Sequence, residues 1–261
     1  TTLSVTLPWR VDRSHPFARV GFNVTHEPWQ IFRAEYVVSG TSDHYLNTFY
    51  VPTQNTRVEA VVNVAAEQQG SWNCVFGTRD KYCGVSAFNF YARSNKSDVS
   101  PPVYNHTKDE TPGTEAFPFG RKVRIVAEGL TAAWYDAETG EPLGSITQET
   151  GPVMAGYNTI FLFNGNDAAD SSKPTPNSAG IAMALYSCKI SERQNDGSYE
   201  VKRDYIPAVF PDGKIGLFDC RDGMYFPVVG SDFSLSPVTC PPTFSPLVDK
   251  KPVRGPAVFI M

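Results

Sequence analysis

The stretch AEYVVSGTSDHYLNTFYVPTQNTRVEAVVNV, residues 34–64, reads as strand, polar turn, strand, turn, strand. In its last third, Val58, Ala60, Val62 and Val64 fall on one side; Arg57, Glu59, Val61 and Asn63 fall on the other. A side-chain period of two marks a strand with one buried side. The outward positions carry Thr, Asn, Tyr and Arg, so the exposed side of this sheet is polar and aromatic together.

The same period recurs along the chain. AFNFYA (87–92) alternates. RKVRIVAE (121–128) sets Val123, Ile125 and Ala127 against Lys122, Arg124 and Val126. AAWYDAETGEPLGSI (132–146) reads as a hairpin turning at Glu138-Thr139-Gly140. TIFLFN (159–164) is a short, nearly continuous apolar run, the pattern of a central strand. IAMALYSCKISERQ (181–194) contains the helix formers Ala, Met and Leu. Its alternation and the Asn195-Asp196-Gly197 turn that follows favour a strand. A further turn falls at Asp222-Gly223. In KRDYIP, Arg203 and Asp204 diverge to opposite faces, and Pro207 is expected to end the pairing or mark a sheet edge. Many short strands with frequent turn signals predict an all-β fold, a two-sheet antiparallel β-sandwich.

Composition narrows the function classes. Charged residues make up only 19% of the 261, and 20 Gly with 21 Pro favour turns over long helices. The net charge is −4, and no Lys/Arg run exceeds two residues, which argues against nucleic acid and anionic membranes as partners. No apolar run approaches the roughly 20 residues of a membrane helix, so membrane insertion is not expected. Two stretches read as long loops, 93–119 and 164–179. The expected organisation is an N-terminal extension over 1–29, a sandwich domain over 30–236 and a Pro-rich extension over 237–261.

The five cysteines are Cys74, Cys83, Cys188, Cys220 and Cys240. None forms CxxC, which argues against zinc. Cys74 and Cys83 flank a hairpin turn, and Cys220 and Cys240 bracket the last strands. Disulfides at these pairs and isolated thiols both fit; Cys188 suits a small core position. The four histidines, His15, His26, His44 and His106, show no metal spacing and are expected on the surface or in loops. Asn164, Asn166, Asp167 and Asp170 in NGNDAAD space oxygen ligands in a way that suits a structural Ca²⁺. An Asx-rich turn bonding its own backbone is the competing reading.

The order of these segments resembles the laminin-G-like, concanavalin A-like jelly-roll modules of bacterial secreted and surface proteins. The segments that carry the likeness are 34–64, CVFGTRD, AFNFYA, GYNTIFLFNGND and the closing AMALYSCKISERQNDGSYEVKRDYIPAVFPDGKIGLFDCRDGMYFPVVGSDFSLS. The resemblance implies two curved sheets, often used for glycan recognition, in a secreted or cell-surface protein. It also brings hydrolases and lyases into view, yet the Glu-x-Asp-x-Glu pattern of the laminarinase-like enzymes is absent. The acidic groups Asp109-Glu110 and Asp136, Glu138, Glu141 fall in a loop and at a turn, so no catalytic residue is assigned and an enzyme is not expected.

The leading expectation is therefore a non-catalytic glycan-binding module. A protein-binding adhesion or structural module comes second, and a divergent glycoside hydrolase or polysaccharide lyase third. Sugar platforms are sought among aromatic residues near hairpin tips and loops. The candidates are Trp72, Tyr82 with Arg79, Tyr91, Tyr104 with His106, and Trp134 or Tyr135. Trp134 and Tyr135 are adjacent on a strand and face opposite sides, so one of them belongs to the core.

Overall fold

The computed structural model describes residues 32–39, 44–67, 73–80, 85–94, 114–147, 158–167, 175–176, 180–209, 213–230 and 233–235. Among them every regular element is a strand. In chain order these are β1 (Phe32–Arg33), β2 (Val37–Val38), β3 (Leu46–Asn47), β4 (Thr56–Val64), β5 (Cys74–Asp80), β6 (Val85–Tyr91), β7 (Lys122–Glu128), β8 (Thr131–Asp136), β9 (Pro142–Thr147), β10 (Phe161–Leu162), β11 (Gly165–Asn166), β12 (Met183–Arg193), β13 (Tyr199–Val209), β14 (Ile215–Asp219), β15 (Met224–Pro227) and β16 (Ser234–Leu235).

Eleven strands form one sheet, with the path β15-β14-β13-β12-β4-β7-β8-β9; β1, β2 and β16 join it beside β12 and β13. The second sheet runs β11-β5-β10-β3, and β6 also pairs with β5. Among the described strands all pairings are antiparallel except β11 with β5; the isolated bridge of Cys74 with Gly180 is parallel too. β4 is the hub of the large sheet because its alternation is complete. Val58, Ala60, Val62 and Val64 are buried, while the residues between them are half-exposed. Its register sets Ala60 opposite Ile125 of β7 and Cys188 of β12, so three inward side chains share one row.

The two sheets face each other across one apolar core. Phe76, Phe88 and Phe90 of the small sheet meet Val58, Ile125 and Trp134 of the large one in a single cluster. Phe90 and Trp134 make an edge contact at 6.2 Å between ring centroids, a favoured aromatic geometry. Trp134 crosses over β9 because its partner there is Gly144. A Cβ at that position would lie 2.4 Å from the indole Cζ2.

The 181–194 segment is strand, as its turn signal implied, and the hairpin of β8 and β9 turns at Gly140 with φ 75°. Three readings change. TIFLFN supplies only the two-residue β10, because Phe163 turns the chain at φ 69° into β11. Pro207 neither ends β13 nor lies at an edge. It pairs with Leu217 of β14, and its carbonyl accepts the Ala34 N–H at 3.0 Å. The missing N–H therefore falls on the side of the short β1, where little ladder is lost. His44 is not a surface residue; it is buried and stacked on Phe233 at 4.6 Å.

Candidate functional site

The site is built where β3 meets the β14–β15 hairpin. Phe49 follows β3 and has φ 52°, a left-handed backbone conformation costly for a bulky side chain. Its ring is 64% exposed, so hydrophobic burial does not offset that cost. The conformation is imposed by neighbours on both sides. The Phe49 N–H donates to Asn47 Oδ1 at 2.8 Å, and the Tyr50 N–H donates to Thr48 Oγ1 at 3.2 Å. Thr48 is tied to Ile160, whose carbonyl accepts both the Thr48 N–H at 3.1 Å and its hydroxyl at 2.7 Å. The Thr48 carbonyl in turn accepts Arg203 Nε and the Tyr205 hydroxyl, each at 3.1 Å. A strained residue of this kind costs about 1–3 kcal/mol, and several hydrogen bonds of about 1 kcal/mol each suffice to hold it.

The polar half of the site comes from β13 and the β14–β15 turn. Arg203 lies 5.6 Å over the Phe226 ring, and Phe226 is 6.1 Å from Phe49 between centroids. Arg203 donates to Asp222 Oδ2 at 2.8 Å and stands 3.7 Å from the buried Asp219 carboxylate. Asp219 Oδ1 accepts the N–H groups of Asp204 at 2.9 Å and Arg221 at 3.0 Å. Asp222 also accepts Arg221 Nη1 at 2.9 Å. Burial pushes the Tyr205 phenol well above its ordinary range, so it stays protonated and donates. The arrangement displays one apolar ring beside a partly exposed carboxylate and two guanidinium groups. Arg203 stands beside both carboxylates of the site, and among the described residues the buried Asp219 Oδ2 makes no hydrogen bond of its own.

The outer side of β4, β7, β8 and β12 is a second polar surface. Arg57 pairs with Glu59 at 3.3 Å and Glu128 at 3.6 Å, and Arg124 pairs with Glu59 at 3.2 Å. Three tyrosines each carry a cation over the ring: Arg57 on Tyr199, Lys122 on Tyr186 and Arg124 on Tyr135. In each of the three, the cation covers one face of the ring.

The sequence candidates do not converge. Trp134 is fully buried; Tyr135 is the outward member of the pair, so the platform assignment of Trp134 is corrected. Tyr91 is also buried, packed with Cys74, and offers no open ring face. Arg79 lies in β5, where only its backbone is described. Trp72, Tyr82, Tyr104, His106 and Asp170 lie outside the described residues, as do Cys83 and Cys240.

Asn164 and Asn166 are buried and their amides bond within the fold. Asn164 Oδ1 accepts the Gly165 N–H at 2.7 Å, and Asn166 Nδ2 donates to the Thr159 carbonyl at 3.0 Å. Asp167 is half-buried, with its N–H on the Thr175 carbonyl at 2.7 Å. The Asn166 and Asp167 contacts reach Thr159 and Thr175, so they tie separate segments together. Among the described residues no three His, Cys, Asp or Glu side chains gather around a common point. Cys74, Cys188 and Cys220 are free thiols, and burial raises the pKa of the first two well above the ordinary value.

Sequence reasoning missed Phe49. Within LNTFYVP it reads as one more strand aromatic, and its one local signal is the Asn-Thr pair before it, a turn-forming dipeptide.

Comparison of the chain with protein-family models, with curated proteins and with solved structures finds no match.

Proposed function

We propose that this protein is a non-catalytic carbohydrate-binding module of a secreted or cell-surface protein, built on a concanavalin A-like jelly-roll arrangement of the two sheets. A sugar ring stacks its C–H face on Phe49, while Asp222, Arg221 and Asn47 pair its hydroxyls. The observation that carries this reading is the exposed aromatic ring of Phe49, held out on a left-handed backbone that neither local preference nor burial favours. Ligand sites of this kind combine an apolar surface with a few fixed polar groups. Asp219 and Asp222 are both neutralised by arginine or backbone donors, which supports binding over bond cleavage.

A glycan array probed with the soluble protein tests the proposal. Retention of one glycan class by the wild type, lost about tenfold or more in Phe49→Ala and kept in Phe49→Trp, is the expected result. A wild type that retains no glycan contradicts it. One observation favours a protein-binding reading instead. Val51, Met224 and Val229 are also exposed apolar residues on the segments that flank this site. Capture of a protein partner that sugars do not displace would favour that second reading.

A further inference from the structure

A separate cleft of about 410 Å³ lies against β9, at the opposite end of the large sheet from β15. Its volume falls in the range of small-ligand sites. Thr114, Glu115, Tyr135, Pro142, Leu143 and Ser145 line it. We infer that this cleft is a second binding site, and that it takes an amine-bearing sugar ring.

The walls are fixed by particular contacts. The Thr114 N–H donates to the Ser145 carbonyl at 2.7 Å, and the Ser145 N–H donates to Thr114 Oγ1 at 2.9 Å. This reciprocal pair pins the 114–115 segment to the edge of β9 and sets the place of Glu115. One face of Tyr135 is covered by Arg124, 4.7 Å over its ring, and Arg124 is itself anchored on Glu59. Beneath β9, Trp134 fills the space that Gly144 leaves, so the floor does not collapse inward.

The chemistry of the lining selects the ligand. Tyr135, Pro142 and Leu143 supply the apolar part of the lining. Thr114 and Ser145 offer hydroxyls. Among the described residues, Glu115 is the one acidic side chain lining the cleft, and no basic side chain lines it. A carboxylate beside an aromatic ring favours an ammonium group and disfavours a second anion. A uronic or sialic acid would bring like charge toward Glu115. This inference does not depend on Phe49.

Titration of ¹⁵N-labelled protein with glucosamine oligomers, with their N-acetylated counterparts and with galacturonate oligomers tests the site. The glucosamine oligomers are expected to shift the amides of residues 114–115, 133–135 and 143–145. Glu115→Gln should weaken that binding about tenfold, the scale of one charge-assisted hydrogen bond. Tyr135→Phe should keep it and Tyr135→Ala should lose it. The galacturonate oligomers should leave these amides unmoved. Three results would overturn the inference: no shift with glucosamine oligomers, equal binding of amine-bearing and acetylated oligomers, or unchanged affinity in Glu115→Gln.

Discussion

The Tyr205 hydroxyl donates to the Thr48 carbonyl at 3.1 Å, although 157 residues separate the two in sequence. Arg203 reaches the same oxygen from two residues earlier on β13. This shared acceptor couples the β13 strand to the turn that displays Phe49. Tyr205→Phe removes one of the two bonds and should cost about 1 kcal/mol in urea unfolding. Arg203→Met also strips the guanidinium from the buried Asp219 and should cost about 3 kcal/mol or more. Equal costs for the two variants would show that the Asp219 contact carries no weight.

Relief of the Phe49 strain should be measurable. Asparagine tolerates the left-handed conformation better than phenylalanine. Phe49→Asn should therefore hold or raise stability, by up to about 1 kcal/mol, while it abolishes glycan retention. A stability loss above about 2 kcal/mol would mean that the ring packs rather than waits for a ligand.

Gly144→Ala forces a Cβ into the Trp134 indole and should destabilise by about 1–3 kcal/mol. Combining it with Trp134→Phe should recover part of that loss, because the two residues share one space. Additive losses in the double variant would place the strain elsewhere.

Asp136 sets an acid limit. The N–H of Thr139, the Arg121 guanidinium and the N–H of Glu138 all favour its ionised form, which lowers its pKa to about 2 from 3.8. Because the folded pKa lies below the unfolded one, this contribution is present above about pH 4 and fades as pH falls toward 2. The stability difference between wild type and Asp136→Asn should shrink over that window. A difference that stays constant from pH 6 to pH 2 would contradict the assignment.

Local patterns were legible in the sequence, and long-range ones were not. The β4 alternation and the Gly140 and Gly197 turns are encoded within a few residues, so both can be read directly. Which of Trp134 and Tyr135 points inward depends on Gly144, across a hairpin and inside a sheet whose faces are defined only once it packs. The buried position of His44 depends on Phe233, nearly 190 residues away. The conformation of Phe49 is fixed by Ile160, Arg203 and Tyr205 as well as by the local bond to Asn47, so the Asn-Thr pair alone does not separate it from the other aromatic residues of the strands.

The central claim is that Phe49 meets a sugar. Phenylalanine-selective ¹³C labelling, followed by titration with the glycan retained on the array, addresses it most directly. The Phe49 ring signal should shift and saturate with the same dissociation constant as the array ligand, together with Arg203 Nε. A glycan that binds while the Phe49 ring signal stays unmoved would contradict the account.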